Sequence, residues 1–291
     1  MIKVDGKVIA QKIINELKQK PAPKKILAAV FVGMNPASES FLKIKEKTAQ
    51  ELGVNFQVFQ LAEVVGQDEI EDKVRGLSRR EDVGGIIVQL PLPRRFDREK
   101  ILSLIDPKKD VDALGVNALV EAPVVGVVKE VLASVGWELT GKKIAIVGKG
   151  RLVGQPIIKW LKNEQAVSKH QSFKFKAADE ETKNLPGFLA EADLVISGVG
   201  KKEGGLTRCY NFASSAESRR EQSCSTGLIK PEWLKEGAGV IDFGFPPDFD
   251  SSACDLPSAI CDKLSFYTPT PGGTGPILVA KLFENFYKLN S

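Results

Sequence analysis

Gln89 is the one amide in an otherwise apolar run at residues 85–93, GIIVQLPLP, which follows Gly84 and stops at Pro91 and Pro93. The β-branched content predicts a buried strand over 85–90. An unpartnered buried amide costs about 1–3 kcal/mol, so Gln89 needs a polar neighbour. That neighbour is a backbone carbonyl, a water at the strand end, or a ligand held at the carboxyl edge of a parallel sheet, where open α/β proteins bind. Histidine and cysteine offer little alternative chemistry. His170 is the single histidine, and Cys209, Cys224, Cys254 and Cys261 contain no C-x-x-C pair. Neither a metal site such as zinc, nor a disulfide framework, nor histidine acid–base catalysis is expected. The work falls to Lys, Asp, Glu, Gln or a cofactor.

A second constellation begins where the apolar run 144–147 feeds Gly148-Lys149-Gly150-Arg151-Leu152-Val153-Gly154. Glycines there permit a tight turn and close approach of backbone to a pyrophosphate, and a following helix N-terminus supplies free N–H groups. The spacing is G-x-G-x-x-x-G, so the plain dinucleotide fingerprint is not met. Lys149 and Arg151 either meet phosphate or remain solvated. The next strand, FKFKAA, ends in Asp179-Glu180-Glu181-Thr182. Carboxylates at that place accept the ribose hydroxyls of NAD and oppose the extra phosphate of NADP by about 1–4 kcal/mol per close pair. The other reading is a solvated acidic helix start. The balance leans to NAD, with Lys149 and Arg151 weighing toward NADP.

Those residues need a scaffold. A chain of 291 residues, 43% apolar and 27% charged, suits one large domain or two medium ones. The net charge, 41 − 37 = +4, comes with no Lys/Arg block, which argues against nucleic acid and fits a small anionic ligand. The opening residues hold no uninterrupted apolar core, and no apolar run approaches about 18 residues, so no membrane span and a cytoplasmic location are expected. Strand-like and helix-like segments alternate: helix 8–18, strand 26–32, helix 40–52 begun near Ser38, strand 56–61, helix 68–78, strand 85–90. This rhythm implies a parallel sheet with covered faces. It pauses near Trp137. A second series follows, with strands in KKIAIVG, FKFKAA, ADLVISGVG and GVIDFG and a helix from 156 to about 164. A last helix, 277–289, follows PTPGGTGP and is expected to return to the first domain. Residues 202–226 are polar without period, and read as a lid or, preferably, a disordered insertion.

Taken together, VDGKVIAQKI, VGMNPASESFLKIKEKTAQELGV, GGIIVQLPLP, KKDVDALGVN, VGKGRLVGQP, TKNL, ADLVISGVGK, VIDFG and PTPGGTGP resemble the bifunctional methylenetetrahydrofolate dehydrogenase/methenyltetrahydrofolate cyclohydrolase family over nearly the whole chain. The resemblance implies an α/β protein with an N-terminal three-layer α/β catalytic domain, residues 1–136 with helix 276–291 packing back. A C-terminal Rossmann-like nucleotide-binding domain, 137–275, would carry the insertion at about 202–226. It implies oxidation of 5,10-methylenetetrahydrofolate with NAD or NADP and hydrolysis of the methenyl product to 10-formyltetrahydrofolate, in a homodimer. Lys45 matches the family's catalytic lysine, Gln89 the glutamine supporting it, and Asp112 the aspartate that holds the pterin. Phe41, Val88, Leu90 and Pro271, Gly272, Gly273, Thr274 and Gly275 are implied to line the folate. Gly148, Lys149, Gly150, Arg151, Gly154, Glu180 and Phe245 are implied to meet the cofactor.

The chain also departs from its family. Phe41 stands where tyrosine is usual, which keeps a ring and loses a hydroxyl. Gly148-Lys149-Gly150 replaces Gly-Arg-Ser, and Glu180-Glu181 replaces Ser-Arg. Residues 202–226 intervene beside the expected cofactor site, and Ala122-Pro123-Val124-Val125 replaces Pro-Cys-Thr-Pro. These differences leave two alternatives: a non-catalytic or single-activity folate-binding homologue, or another two-domain dehydrogenase of the shikimate type.

Overall fold

The computed structural model describes residues 1–167, 172–199, 227–254 and 259–291. His170, Cys209, Cys224 and the segment 202–226 lie outside the described residues. The strands are β1 (Ile2–Lys3), β2 (Ile26–Val32), β3 (Phe56–Leu61), β4 (Val83–Val88), β5 (Lys143–Val147), β6 (Lys174–Ala178), β7 (Leu194–Ser197), β8 (Gly239–Asp242) and β9 (Phe266–Tyr267). The helices are α1 (Gly6–Lys18), α2 (Pro36–Leu52), α3 (Gln67–Arg79), α4 (Arg98–Ser103), α5 (Pro123–Ser134), α6 (Gly154–Val167), α7 (Leu185–Leu189), α8 (Ala259–Asp262) and α9 (Thr274–Leu289). They form two compact units: Ala10–Gly126 with Ile277–Ser291, and Met1–Ile9 with Val127–Pro276. No described helix is long and apolar enough to cross a membrane.

The first unit is built on a three-stranded sheet in the order β3-β2-β4, with both pairings parallel. Every residue of β2, ILAAVFV, is buried, as a central parallel strand with both faces covered requires. Helix α2 starts earlier than the expected residue 40. Asn35 accepts a hydrogen bond from Ser38 N and Pro36 occupies the first turn, an N-cap followed by the residue whose missing N–H costs nothing there. Gly53, at φ 66°, closes its other end. Helix α3 turns Ile70, Val74 and Leu77 onto the sheet core, which also holds Ile101 and Leu102 of α4. Strand β4 runs Val83–Val88 rather than 85–90. Gly84 and Gly85 therefore lie inside the strand instead of launching it. A Cβ on Gly85 would come within 2.7 Å of the Phe286 ring and 2.8 Å of Leu27, so glycine is needed for close packing of α9 and β2.

The second unit carries a six-stranded parallel sheet in the order β1-β9-β8-β7-β5-β6. The chain's first residues supply its edge: β1 pairs with β9, and both strands are two residues long, too short for any periodicity to reveal. The strand order reverses at β5, which has β6 on one side and β7 on the other. Ala145, Val147, Val195, Val240, Leu185 and Leu189 lie in the apolar cluster on this sheet. The expectation of no disulfide needs correcting, because Cys254 and Cys261 are disulfide-bonded, with Cα atoms 5.2 Å apart. A short 3-10 turn, Ser252–Cys254, and α8 fold back on each other, and a local bridge needs only Cα atoms roughly 4.4–6.8 Å apart, not a C-x-x-C spacing.

Candidate functional site

Lys45 lies three turns into α2, on the face that also buries Leu42, Thr48 and Ala49, and is 8% exposed. Its Nζ donates to Gln89 Oε1 at 3.1 Å. Gln89 sits one residue past β4, where its N still donates to Val30 O at 2.9 Å and its Nε2 donates to Leu90 O at 2.9 Å. Of the three partners open to this amide, the structure supplies the backbone carbonyl, at Leu90, and adds the Lys45 amine on the other end of the side chain. Burial drives the Lys45 amine below its ordinary pKa, and the charge of Asp112 opposes that shift. Asp112 is moved the other way: burial raises its carboxyl, Lys45 lowers it, and Asp110 raises it further.

The loop that carries Asp112 is held by its neighbour. Asp110 is 1% exposed and bridges to Ile86 beside β4, and its carboxylate accepts from Leu114 N at 3.2 Å and Gly115 N at 2.6 Å. Burial raises the Asp110 carboxyl while these backbone N–H groups lower it. The turn includes Ala113 at φ 52°, the one non-glycine residue at positive φ among those described. Such a conformation costs about 1–2 kcal/mol for an L-residue, and the Asp110 bonds offset it. Asn285 of α9 closes the loop from behind by donating to Val111 O and Glu121 O, each at 2.9 Å. Phe41 is half-buried one helical turn before Lys45, so both project from one face of α2. Val88 is buried at the end of β4 and Leu90 is half-buried.

In the second unit, Gly148 follows β5 at φ 95° and its N donates to Ala178 O at the end of β6. A Cβ on Gly154 would lie 2.0 Å from Gly148 O, and one on Gly198, just past β7, would lie 2.6 Å from Val153 Cβ. Side chains are thus excluded where the turn crosses the point at which strand order reverses. Gly150, by contrast, has only Gly198 O at 4.0 Å from a Cβ placed there. This cradle, open at Gly150 and closing onto the first turn of α6, fits a dinucleotide pyrophosphate. Lys149 Nζ is bound to Asp179 Oδ2 at 2.7 Å. Arg151 is half-buried in the same turn, Glu180 is exposed after β6, and Phe245 is 61% exposed after β8.

Pro271 to Gly275 also belong to this second unit, and much of their bonding is to its framework. Gly272 (φ 102°) accepts at its O from Gly6 N at 3.0 Å, and Thr274 Oγ1 donates to Asp242 O at 2.9 Å. Gly273 is buried, Pro271 is exposed and Gly275 is half-buried. Asp242, 1% exposed, anchors the region: its carboxylate accepts from Ser197 Oγ, Gly244 N and Phe249 N. Asp248 accepts from Val199 N at 2.9 Å, and burial beside Asp242 pushes it up to about 7. Sequence reading passed over Asp110, Gly198 and Asp248, and named Asp179 only as one of three successive acids, of which Glu180 was assigned to the cofactor. Asp110 stands two residues from Asp112, whereas nothing local marks Asp248.

The pattern described as tetrahydrofolate dehydrogenase/cyclohydrolase, catalytic domain, matches residues 4–112, and the corresponding NAD(P)-binding domain matches 122–204 and 223–291. The bifunctional protein FolD of Sulfurovum sp. (strain NBC37-1) is 32% identical, covering 98% of this chain and 97% of its own. FolD 1 of Hydrogenovibrio crunogenus is 33% identical, covering 97% and 95%. The crystal structure of the bifunctional methylenetetrahydrofolate dehydrogenase/cyclohydrolase from Campylobacter jejuni superposes with a TM-score of 0.79 at 28% identity, over 98% of this chain and 97% of that one.

Proposed function

The chain belongs to the tetrahydrofolate dehydrogenase/cyclohydrolase family, and from that premise we propose how its own residues serve the two reactions. It oxidises 5,10-methylenetetrahydrofolate to 5,10-methenyltetrahydrofolate with a nicotinamide cofactor, and hydrolyses the methenyl product to 10-formyltetrahydrofolate. We assign residues 1–136 with helix 276–291 to the folate-binding catalytic domain and 137–275, with the insertion at 202–226, to the dinucleotide-binding domain, although Met1–Ile9 and residues 127–136 cluster with the second unit.

The observation that carries this reading is the buried Lys45–Gln89 hydrogen bond beside Asp112. When bound, the nicotinamide supplies the hydride acceptor for the one-carbon bridge. Phe41, Val88 and Leu90 give the pterin an apolar wall, and Asp112 pairs with its hydrogen-bond donors. The family resemblance also assigns Pro271 to Gly275 to the folate. In hydrolysis, water adds to the methenyl carbon while Lys45, with its pKa lowered by burial, takes the water proton. The same amine returns that proton to the ring nitrogen as its bond to the carbon breaks, and the remaining hydroxyl proton passes to solvent as the formyl C=O forms. Gln89 holds one Lys45 N–H and so aims the nitrogen lone pair. Phe41 contributes no hydroxyl to this relay, which leaves Gln89 as the amine's guide.

On the cofactor side, Gly148, Gly150 and Gly154 admit the pyrophosphate, with Lys149, Arg151 and Phe245 around it. Glu180 and Glu181 favour NAD over NADP because a carboxylate accepts from ribose hydroxyls and repels a 2′-phosphate. Assembly as a homodimer is carried over from the family resemblance. The test follows methenyltetrahydrofolate by absorbance with purified protein, methylenetetrahydrofolate, and NAD or NADP in parallel. Methenyl formation followed by its decay is expected, with NAD ahead of NADP. Accumulation without decay above the spontaneous rate would remove the hydrolytic role of Lys45. Binding of folate with no turnover in either direction would leave a binding protein.

A further inference from the structure

We propose that Asp179, by pairing with Lys149, is the residue through which this enzyme selects a dinucleotide with free adenosine ribose hydroxyls over its 2′-phosphorylated form. The inference rests on the nicotinamide-cofactor reading above and identifies the group that enforces it. Asp179 is the first residue after β6, and Lys149 the second after β5, on neighbouring parallel strands. Gly148 N donates to Ala178 O at 2.9 Å, so the two loops leave the sheet tied together. This is the carboxyl edge at the strand-order reversal, where doubly wound folds hold the adenosine ribose.

The carboxylate is built into its place rather than trailing in solvent. Asp179 Oδ1 accepts from Glu181 N at 3.1 Å and from Thr182 Oγ1 at 3.4 Å, while Asp179 N donates to Thr182 Oγ1 at 3.1 Å. Thr182 N donates back to Asp179 O at 3.1 Å. These bonds leave Oδ2 facing Lys149 Nζ at 2.7 Å. The hydrogen bond from Lys149 keeps the carboxyl below its usual range, so it is ionised at neutral pH.

Lys149 was the strongest reason to expect a 2′-phosphate site, and the ion pair removes it from that role. Its side chain is 47% exposed and that of Asp179 is 33% exposed, so a ligand can reach both. Ribose hydroxyls can donate to the carboxylate while the pair stays closed. A 2′-phosphate must instead face Asp179, with Glu180 and Glu181 beyond it, and compete for the only charge Lys149 has.

The experiment is calorimetric titration of the full chain with NAD, NADP and adenosine 2′-monophosphate. Unaltered protein is compared with Asp179→Ser, Asp179→Asn, Lys149→Ala and the double variant Asp179→Ser/Lys149→Ala. The unaltered protein is expected to bind NAD at least about tenfold tighter than NADP, and Asp179→Ser to gain about tenfold for NADP and for adenosine 2′-monophosphate. Asp179→Asn keeps the shape without the charge and is expected to move the same way. The double variant is expected to lose the gain, because the freed Lys149 produces it. If the unaltered protein prefers NAD but neither Asp179 variant changes the NAD/NADP ratio, the role of Asp179 is overturned while the NAD reading stands. A gain that survives in the double variant overturns the part assigned to Lys149. Tighter binding of NADP by the unaltered protein overturns the cofactor reading itself, and this proposal with it.

Discussion

Lys45 is 8% exposed and shares a neutral hydrogen bond with Gln89 at 3.1 Å, whereas Lys149 has 47% side-chain exposure and an anionic partner, Asp179, at 2.7 Å. Both lysines belong to motifs that point to chemistry, yet their surroundings ask different things of them. Burial makes the Lys45 cation costly and lowers its pKa, with Asp112 only partly restoring it. That is what an amine needs in order to exchange protons near neutral pH. Lys149 has solvent and a carboxylate to stabilise its charge, so its function is that of a fixed cation whose availability depends on its partner. The contrast teaches that a lysine's part in a site is set by its desolvation and by the charge of the group it touches.

Removing the amine is the most severe way to break the comparison. Lys45→Met is expected to lower methenyltetrahydrofolate hydrolysis by about 10²–10⁴-fold while the folate still binds. Absorbance decay and equilibrium binding on the same sample separate the two effects, and an unchanged hydrolysis rate would remove Lys45 from the relay. Making the buried lysine resemble the exposed one is the next step. Gln89→Glu places a carboxylate on Lys45 and is expected to raise its pKa, because an adjacent negative charge favours the ammonium form. Because the neutral amine takes the proton, the pH–rate profile for hydrolysis moves to higher pH and the rate at pH 7 falls; a profile that stays in place contradicts this.

The second unit holds its own buried charge, which extends the comparison to stability. Burial, with Asp242 alongside, raises Asp248 from 3.8 to about 7. Between those values the folded protein keeps a proton that the unfolded chain has released. The contribution of this group to stability is therefore complete below pH 3.8 and is lost as pH rises through about 7, with an upper limit on the order of 4 kcal/mol. Urea unfolding of the wild type and Asp248→Asn at pH 5 and pH 8 checks the sign. The wild type should lose ground relative to the variant at the higher pH, and a pH-independent difference refutes the assignment.

Smaller effects sharpen the nucleotide side. Gly154→Ala puts a Cβ 2.0 Å from Gly148 O, which is expected to cost about 1–3 kcal/mol of stability and to weaken cofactor binding together with it. Wild-type cofactor affinity in that variant would show that the turn does not hold the pyrophosphate. Asp179→Ser, at an exposed pair, is expected to leave the unfolding midpoint unchanged even as it alters cofactor choice, since exposed ion pairs contribute little to stability. A large drop in midpoint would make Asp179 a structural residue first.

Much of the fold was legible. Strand β2 has the bounds its apolar run predicted, and so does β3, because a continuous or alternating apolar pattern over several residues has few other interpretations. Helix α2 was placed four residues late because Asn35-Pro36 was not read as its cap. Strands β1 and β9 offered no signal, as two residues carry no period. The glycines before Gln89 were read as the start of the strand and are instead packing sites within it, which depends on Phe286 arriving from far along the chain. Gln89 stood out as the one amide in an apolar run, whereas Lys45, 44 residues away, stood out only through the motifs around it. Asp179 was passed over in favour of Glu180 because composition does not say which of three successive acids faces a cation.

The linear order of residues established the family, the parallel α/β organisation, and which side chains were available for proton transfer and phosphate recognition. Those properties follow from local patterns and from motifs that persist in one dimension. The folded arrangement settled which of those side chains are buried and which groups they face. It buried Lys45 against Gln89, held the Asp112 loop with Asp110, joined Lys149 to Asp179, and placed the first nine residues in the second unit, with Ile2 and Lys3 as the edge strand of its sheet. Charge state depends on desolvation and on distances through space. Neither quantity exists until the chain has packed.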